Sequence, residues 1–317
     1  MLIFIAKRLL SGVITIWFIA TATFFAMHAV PGDPLAQEKA MSPAVRAQLE
    51  ARYGLDRPLI EQYQLFLSNM LHGDFGISFT QENRKVNDII REHFPISAIL
   101  GIAAVLIALV GGVAAGTVAA YYRNRWPDRL VMIAVIAAIS VPGFVIAGLA
   151  QLVIVLLNNA AEKQILPVAG WGSVNHIWVP ALVLGLGTMA YLSRIMRASM
   201  LEVLSADFNT AAKAKGVHGW RLFWHHQLRN AILPVVTELG PTIAAVTTGG
   251  FVVELIFAIP GLGRYFVQAV QQLDYTVIMG TTVFYGAFLV LVVVLVDISY
   301  GLIDPRIRLH GGRESSR

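Results

Sequence analysis

The stretch Leu9-Leu-Ser-Gly-Val-Ile-Thr-Ile-Trp-Phe-Ile-Ala-Thr-Ala-Thr-Phe-Phe-Ala-Met-His-Ala-Val30 contains no Asp, Glu, Lys or Arg. A helix needs about 20 mostly apolar residues to cross a bilayer. The apolar region of a secretory signal is shorter, about 7–15 residues. The run, preceded by Lys7 and Arg8, therefore predicts an uncleaved first spanning helix. Ala20-Thr21-Ala22 has the small residues of a cleavage site but lies inside the apolar run instead of after it. Composition agrees with a membrane chain: 56% of residues are hydrophobic and 14% charged, against roughly 25% charged in soluble domains. Mean hydropathy is +0.66. The chain has no cysteine, which excludes disulfides, thiolate metal sites and cysteine nucleophiles.

Working outward, six segments reach spanning length: about 9–30, 96–121, 130–157, 178–199, 231–256 and 278–302. The fifth is interrupted by Pro234, Glu238, Pro241 and Gly249-Gly250, and Pro142-Gly143 predicts a kink in the third. The stretch 158–177, with Pro167, Gly170, Gly172 and Asn175, reads as a loop. Lys and Arg set the orientation. Lys7, Arg8, Arg123, Arg125, Arg129, Arg194, Arg197, Lys213, Lys215, Arg221, Arg229, Arg306, Arg308, Arg313 and Arg317 fall on one side, whereas the short loops opposite hold only Lys163 and Arg264. Both termini are expected in the cytoplasm. The pI near 9.6 reflects this asymmetry, not a nucleic-acid surface.

Residues 31–95 are expected outside. They carry both signs of charge, and long loops cross regardless of it. Asp56-Arg57-Pro58 resembles a helix start with Asp as N-cap, followed by Leu59, Tyr63, Phe66, Leu67 and Met70 at helical spacing. A small outer helical segment is predicted, as readily a packing ornament as a functional part.

On the cytoplasmic side, the loop between the fourth and fifth spans is long and polar. It reads Leu204-Ser-Ala-Asp-Phe-Asn-Thr-Ala-Ala-Lys-Ala-Lys-Gly216, then Val-His-Gly-Trp-Arg-Leu-Phe-Trp-His-His-Gln-Leu-Arg-Asn230. Its alanines favour helix. Ser205 is placed to cap the start, and Gly216 to end it in the left-handed conformation. Trp220, Phe223, Trp224 and Leu228 are expected on one face of a second short helix. Two short helices about a glycine turn form a knob that a cytoplasmic partner could grip. His225-His226 lacks a nearby third ligand, so packing or headgroup contact is expected there and no metal.

Here the chain resembles a family. Ala211-Ala212-x-x-x-Gly216 looks like the coupling motif of ABC-importer permeases. The finer form Ala212-Lys-Ala-Lys-Gly216, followed by His226-x-Leu-Arg-Asn230-x-x-Leu233-Pro234, resembles the B-type permease of oligopeptide, dipeptide and nickel importers. So do Val30-Pro-Gly-Asp-Pro34, Tyr53-Gly-Leu-Asp-Arg-Pro58, Gly73-Asp-Phe-Gly76, Pro260-Gly-Leu-Gly-Arg264 and Asp304-Pro-Arg-Ile-Arg308, in the family's order. The resemblance implies an all-α membrane protein with six transmembrane helices in the type I ABC-importer permease architecture. It divides the chain into a tip and first span (1–30), an extracytoplasmic segment (31–95), a permease core (96–302) with coupling helices at 204–229, and a cytoplasmic tail (303–317). It further implies a non-enzymatic subunit of the inner membrane that forms half of a pore and takes up oligopeptides. Dipeptide, nickel or another small solute stays open as the cargo. Implied partners are a second homologous permease, two ATP-binding subunits, an extracytoplasmic substrate-binding protein and lipid. ATP and magnesium would sit on those ATPases and no cofactor on this chain, in which no lysine follows a glycine as a phosphate loop requires. Coupling is assigned by the resemblance to Asp207, Ala211, Ala212, Lys213, Ala214, Lys215 and Gly216. Thr210 stands where the general motif has Glu, so Asp207, Lys213 and Lys215 are the candidates for the polar contact.

Among polar residues within the spans, Glu254 is a candidate for lining the pore, with a structural hydrogen bond as the alternative. A carboxylate at a helix centre costs roughly 2.5–3.5 kcal/mol in lipid. Glu238 is expected near the cytoplasmic face, and Asp297 within the bundle or at its cytoplasmic end. Gly112-x-x-x-Gly116 predicts close helix contact. A stand-alone secondary transporter would show internal repeats, and none is evident. An intramembrane enzyme would need a nucleophile–base pair, and neither His28 nor His176 has a serine partner evident in sequence. Met41-Ser42-Pro43 after the Val-Pro-Gly-Asp-Pro block leans the cargo towards oligopeptides.

Overall fold

A computed structural model describes residues 2–31, 50–51, 54–81 and 83–303, with side chains except at 2–5, 244–245, 247–249 and 297–303. Met41-Ser42-Pro43, Gly32-Asp33-Pro34, Tyr53, the side chain of Asp297 and the Asp304–Arg308 block lie outside the described residues. The helices are α1 (Leu2–Ala29), α2 (Leu59–Leu71), α3 (Val86–Tyr121), α4 (Trp126–Ser140), α5 (Gly143–Ala160), α6 (Asn175–Ser205), α7 (Asp207–Ala214), α8 (Gly219–Leu222), a π-helical turn (Phe223–Leu228), α9 (Arg229–Ala231), α10 (Leu233–Thr237), α11 (Leu239–Gly249), α12 (Phe251–Ile256), α13 (Leu262–Gln272) and α14 (Tyr275–Ile303). Among the described residues the only strand-like pairing is one bridge, Ile77 to Lys85.

Among the described residues five helical segments are long and apolar enough to cross a membrane: Ala6–Ala29, Val86–Tyr121, Gly143–Ala160, Asn175–Ser205 and Tyr275–Val296. The fifth expected segment, 231–256, is instead a chain of short helices, α9 to α12. Pro234 has no N–H to continue the preceding turn and restarts the helix as α10. Glu238 and Gly250 mark the next joints. The third expected segment divides where Val141 (ψ 126°) and Pro142 (ψ 137°) are extended, a full break instead of a kink.

The chain forms two compact units, Met1–Ser97 with Pro260–Arg317, and Ala98–Ile259. In the first, α1 lies along α14. A Cβ on Gly12 would stand 2.6 Å from Val290, and one on Gly286 2.8 Å from Ile19. Tyr63 and Phe66 of α2 pack on Phe24 of α1, and the Tyr63 hydroxyl meets Thr21 Oγ1 at 2.7 Å. Asp56 does not cap α2. The helix begins after Pro58, whose carbonyl accepts from the N–H groups of Glu61 and Gln62, and Gln62 Nε2 folds back to donate to Arg57 O at 2.8 Å.

The loop between α2 and α3 is fastened by Asp274, which is fully buried. Its carboxylate accepts from Ser78 Oγ (2.5 Å), Thr80 Oγ1 (2.9 Å), Phe79 N–H (3.2 Å) and Thr80 N–H (3.2 Å). It also accepts from Val277 N–H at 3.2 Å, so the same residue caps α14.

In the second unit, α3 and α6 touch along the expected glycine pair. A Cβ on Gly116 would lie 2.5 Å from Ser193 O, and one on Gly112 2.9 Å from Leu192 Cβ. Any larger residue would part these helices. Ala120, Leu192, Met196, Met200, Val203, Leu228, Ala231 and Val235 form the core beneath them.

Candidate functional site

The expected coupling residues occupy one short, projecting element. After Ser205 the chain turns through extended Ala206 (φ −73°, ψ 146°) into α7. Ser205 does not cap α7; its hydroxyl donates backwards to Glu202 O at 3.0 Å. The far end closes as expected. Gly216 adopts φ +82°, its N–H reaches Lys213 O (3.0 Å), and the Val217 N–H reaches Ala212 O (3.1 Å). This paired closure satisfies the last carbonyls of the helix and reverses the chain. Ala212 is buried, whereas Asp207, Ala211, Lys213, Ala214, Lys215 and Gly216 are exposed. One alanine thus anchors the helix, and the rest of the motif is presented outward.

The return segment differs from the expected single helix. From Phe223 to Leu228 it widens into a π-helix, a form that frequently occurs at functional sites. Trp220, Phe223 and Trp224 cluster with ring centroids 5.2–5.7 Å apart. Leu228 is buried in the core and the half-buried Phe223 packs against it, whereas Trp220 is 73% exposed and Trp224 46%. The wider turn shifts the helical phase, so the spacing expected for an α-helix no longer holds through it.

Behind this surface lies a buried polar relay that the sequence did not disclose. Asn209 Nδ2 donates to Leu204 O at 3.1 Å, and Gln227 Nε2 donates to Asn209 Oδ1 at 2.9 Å. The Tyr121 hydroxyl, at the end of α3, donates to Gln227 Oε1. Asn209 and Gln227 are almost fully buried. Leaving such an amide without its partner costs about 1–3 kcal/mol, so the relay holds α7, the π-helix and α3 in one register.

A second tie joins α4 to α6. Arg197 Nε and an η nitrogen donate to the two oxygens of Asp128 at 2.7 and 2.8 Å, and the Asn124 N–H adds a bond at 2.9 Å. Asp128 is buried. The Arg197 hydrogen bonds outweigh the opposing effect of burial and hold its carboxyl below the usual carboxylate range. Arg197, counted in sequence as a loop cation, lies within α6, which outruns the bilayer: 31 residues make about 46 Å of helix.

Glu254 is buried, at 2% exposure, in α12. It faces Gly250, where a Cβ would stand 3.4 Å from its Oε1. His176 does meet a serine: Ser173 Oγ and His176 Nδ1 are 2.9 Å apart in the exposed turn that opens α6.

A long apolar scaffold with one outward-facing, rigidly backed helix–turn is matched by the family described as binding-protein-dependent transport system inner membrane component, over residues 112–309. The corresponding N-terminal family matches residues 1–101. The chain belongs to this family. The permease is 43% identical over 307 residues to the dipeptide transport system permease protein DppB of Bacillus subtilis, covering 97% of this chain and 98% of that one. It is 41% identical over 311 residues to the oligopeptide transport system permease protein OppB of Haemophilus influenzae, and 37% identical over 310 residues to that of Escherichia coli, each covering 97% of this chain and 100% of the relative. The permease is an integral membrane protein, and its relatives are transport components, not enzymes.

Proposed function

We propose that this permease forms half of the pore of an ABC importer for oligopeptides. Its partners are a second, homologous permease, two ATP-binding subunits that carry ATP and magnesium, and an extracytoplasmic binding protein that delivers the peptide. Six crossings of the inner membrane leave both termini in the cytoplasm, with α4–α5 as the third and α10–α12 as the fifth. In this reading α7 is the coupling helix. Asp207, Lys213 and Lys215 make the polar contact to the ATPase, and Ala212 transmits its displacement to the bundle.

The observation that carries the reading is the exposed stretch of α7, held by the Asn209–Gln227–Tyr121 relay, whose two amides are buried. A rigid-body shift of such an element is how a distant ATP-binding event can move packed helices. The wrong size class of peptide is the main alternative, because relatives named for dipeptide and for oligopeptide transport are similarly identical to the chain. Reconstitution with the partner subunits should give ATP-dependent uptake of tri- to pentapeptides above that of dipeptides. Preference for dipeptides would move the cargo to that class. Uptake by the chain alone, without ATPases, would sink the reading.

A further inference from the structure

The break between α4 and α5 opens a cavity of about 660 Å³ in the second unit, within the roughly 300–1,000 Å³ typical of small-ligand sites. Its walls are mostly apolar, with Val183 and Leu184 of α6 and Val252 and Val253 of α12 among them. Two features give it chemistry. Ala138 and Ile139 line it just where Pro142 and the extended Val141 end α4. Pro142 cannot donate to Ala138 O, and the extended backbone withdraws the N–H of the following turn. Non-helical backbone at membrane depth is tolerated where it lines a cavity. Carbonyl acceptors therefore stand on this side.

On the other side, Gly187, Tyr191 and Arg194 follow one another at four and three residues, on one face of α6. All three are exposed. Tyr191 interacts with Glu238 and Arg194, yet no carboxylate among the described residues forms an ion pair with Arg194. An arginine on an apolar helix is unfavourable against lipid and belongs beside water or an anion.

We propose that this cavity is a peptide-binding station on the translocation path, in which Arg194 takes the free carboxylate of a peptide, the open carbonyls at the α4–α5 break accept its N–H groups, and the apolar walls hold a side chain. Only a ligand with a terminal carboxylate, backbone donors and an apolar body uses all three surfaces. The inference rests on the peptide-importer reading above.

The absence of cysteine in the chain makes it directly testable. Gly187→Cys and Gly143→Cys both line the cavity, and a Cβ at either position meets nothing within 4 Å. In the complete reconstituted transporter, a water-soluble methanethiosulfonate should label both cysteines, as read on this chain after the subunits are separated. A transported peptide with a free carboxylate should slow labelling at least 5-fold, and its C-terminal amide should not. Arg194→Gln should abolish that difference, and Arg194→Lys should keep part of it. Failure to label either cysteine, while Lys163→Cys in the exposed loop after α5 labels, would mean lipid or a partner subunit fills the cavity and would overturn the proposal. Equal protection by acid and amide would also overturn it, as would protection by anionic lipid but not by peptide. Peptide uptake that persists with no protection sinks this site alone; loss of ATP-driven peptide uptake in the unsubstituted transporter sinks the importer reading along with it.

Discussion

Two short segments outside the long helices are fastened in opposite ways. The loop between α2 and α3 depends on a single carboxylate, Asp274, which is fully buried and accepts five hydrogen bonds while capping α14. The α7 segment depends on neutral groups in series, Asn209, Gln227 and Tyr121, with its outer face open. A buried charge with saturated acceptors makes a fixed joint, because loosening it exposes several unsatisfied groups at once. A chain of neutral bonds, each worth about 0.5–1.5 kcal/mol net, keeps register while moving as a unit with its neighbours. The coupling role proposed for α7 needs fastening of the second kind, since an element that is displaced must carry its neighbours with it.

The contrast can be broken first at Asp274. Asp274→Ala should lower stability by about 3 kcal/mol or more, since it strands several buried donors and removes a helix cap. The melting temperature in detergent should fall steeply, with Asp274→Asn intermediate; an unchanged melt would show that the joint is not fixed.

Asp128→Asn should cost about 1.5–3 kcal/mol, the range for hydrogen bonds to charged groups. The sign with pH is set by the folded carboxyl titrating below its ordinary value of about 3.9. The pair's contribution is complete above pH ~4 and is lost as pH falls through the lower folded value. Melting curves of wild type and variant should therefore run parallel from pH 5 to 8 and converge only below about 4.

Next in size, Asn209→Ala should cost about 1–3 kcal/mol by stranding Gln227. Its sharper signature should be functional: uptake per ATP hydrolysed falls further than the amount of folded protein. Equal losses in both would make the relay merely structural. Gly216→Leu should add about 1–2 kcal/mol of left-handed backbone strain with no steric clash, because a Cβ there meets nothing within 4 Å. ATP hydrolysis should persist while uptake drops, and unchanged uptake would count against α7 as the coupling element. The smallest stability effect is expected for Lys213→Ala with Lys215→Ala. Exposed lysines typically contribute within about 0.5 kcal/mol, so any large loss of ATPase binding would assign them a contact instead of a solvating role.

Much of the fold was legible in the sequence because hydropathy and charge are local quantities. The apolar runs announced α1, α3, α6 and α14. Glycine at 216 announced a helix end because that conformation excludes most side chains, and Gly112 and Gly116 announced a close helix contact. Caps were harder to read: Asp56 and Ser205 have suitable chemistry, yet Pro58 and Ala206 begin the helices. Side-chain capping competes with whatever backbone path the neighbouring elements impose. Trp220, Phe223 and Trp224 do cluster as their spacing predicts, but the π-helix that begins at Phe223 is not legible in that spacing.

The sequence by itself determined a membrane chain, its apolar runs, the helix end at Gly216 and, through its ordered motifs, its family. Tertiary structure alone decided which polar residues meet. Tyr121 finds Gln227 across 106 positions, Asp274 finds Ser78 across 196, and Arg197 finds Asp128 across 69. The reason is physical: transfer from water to lipid is a sum over single residues, whereas a buried hydrogen bond is a property of two groups whose distance and angle exist only once the helices between them have packed.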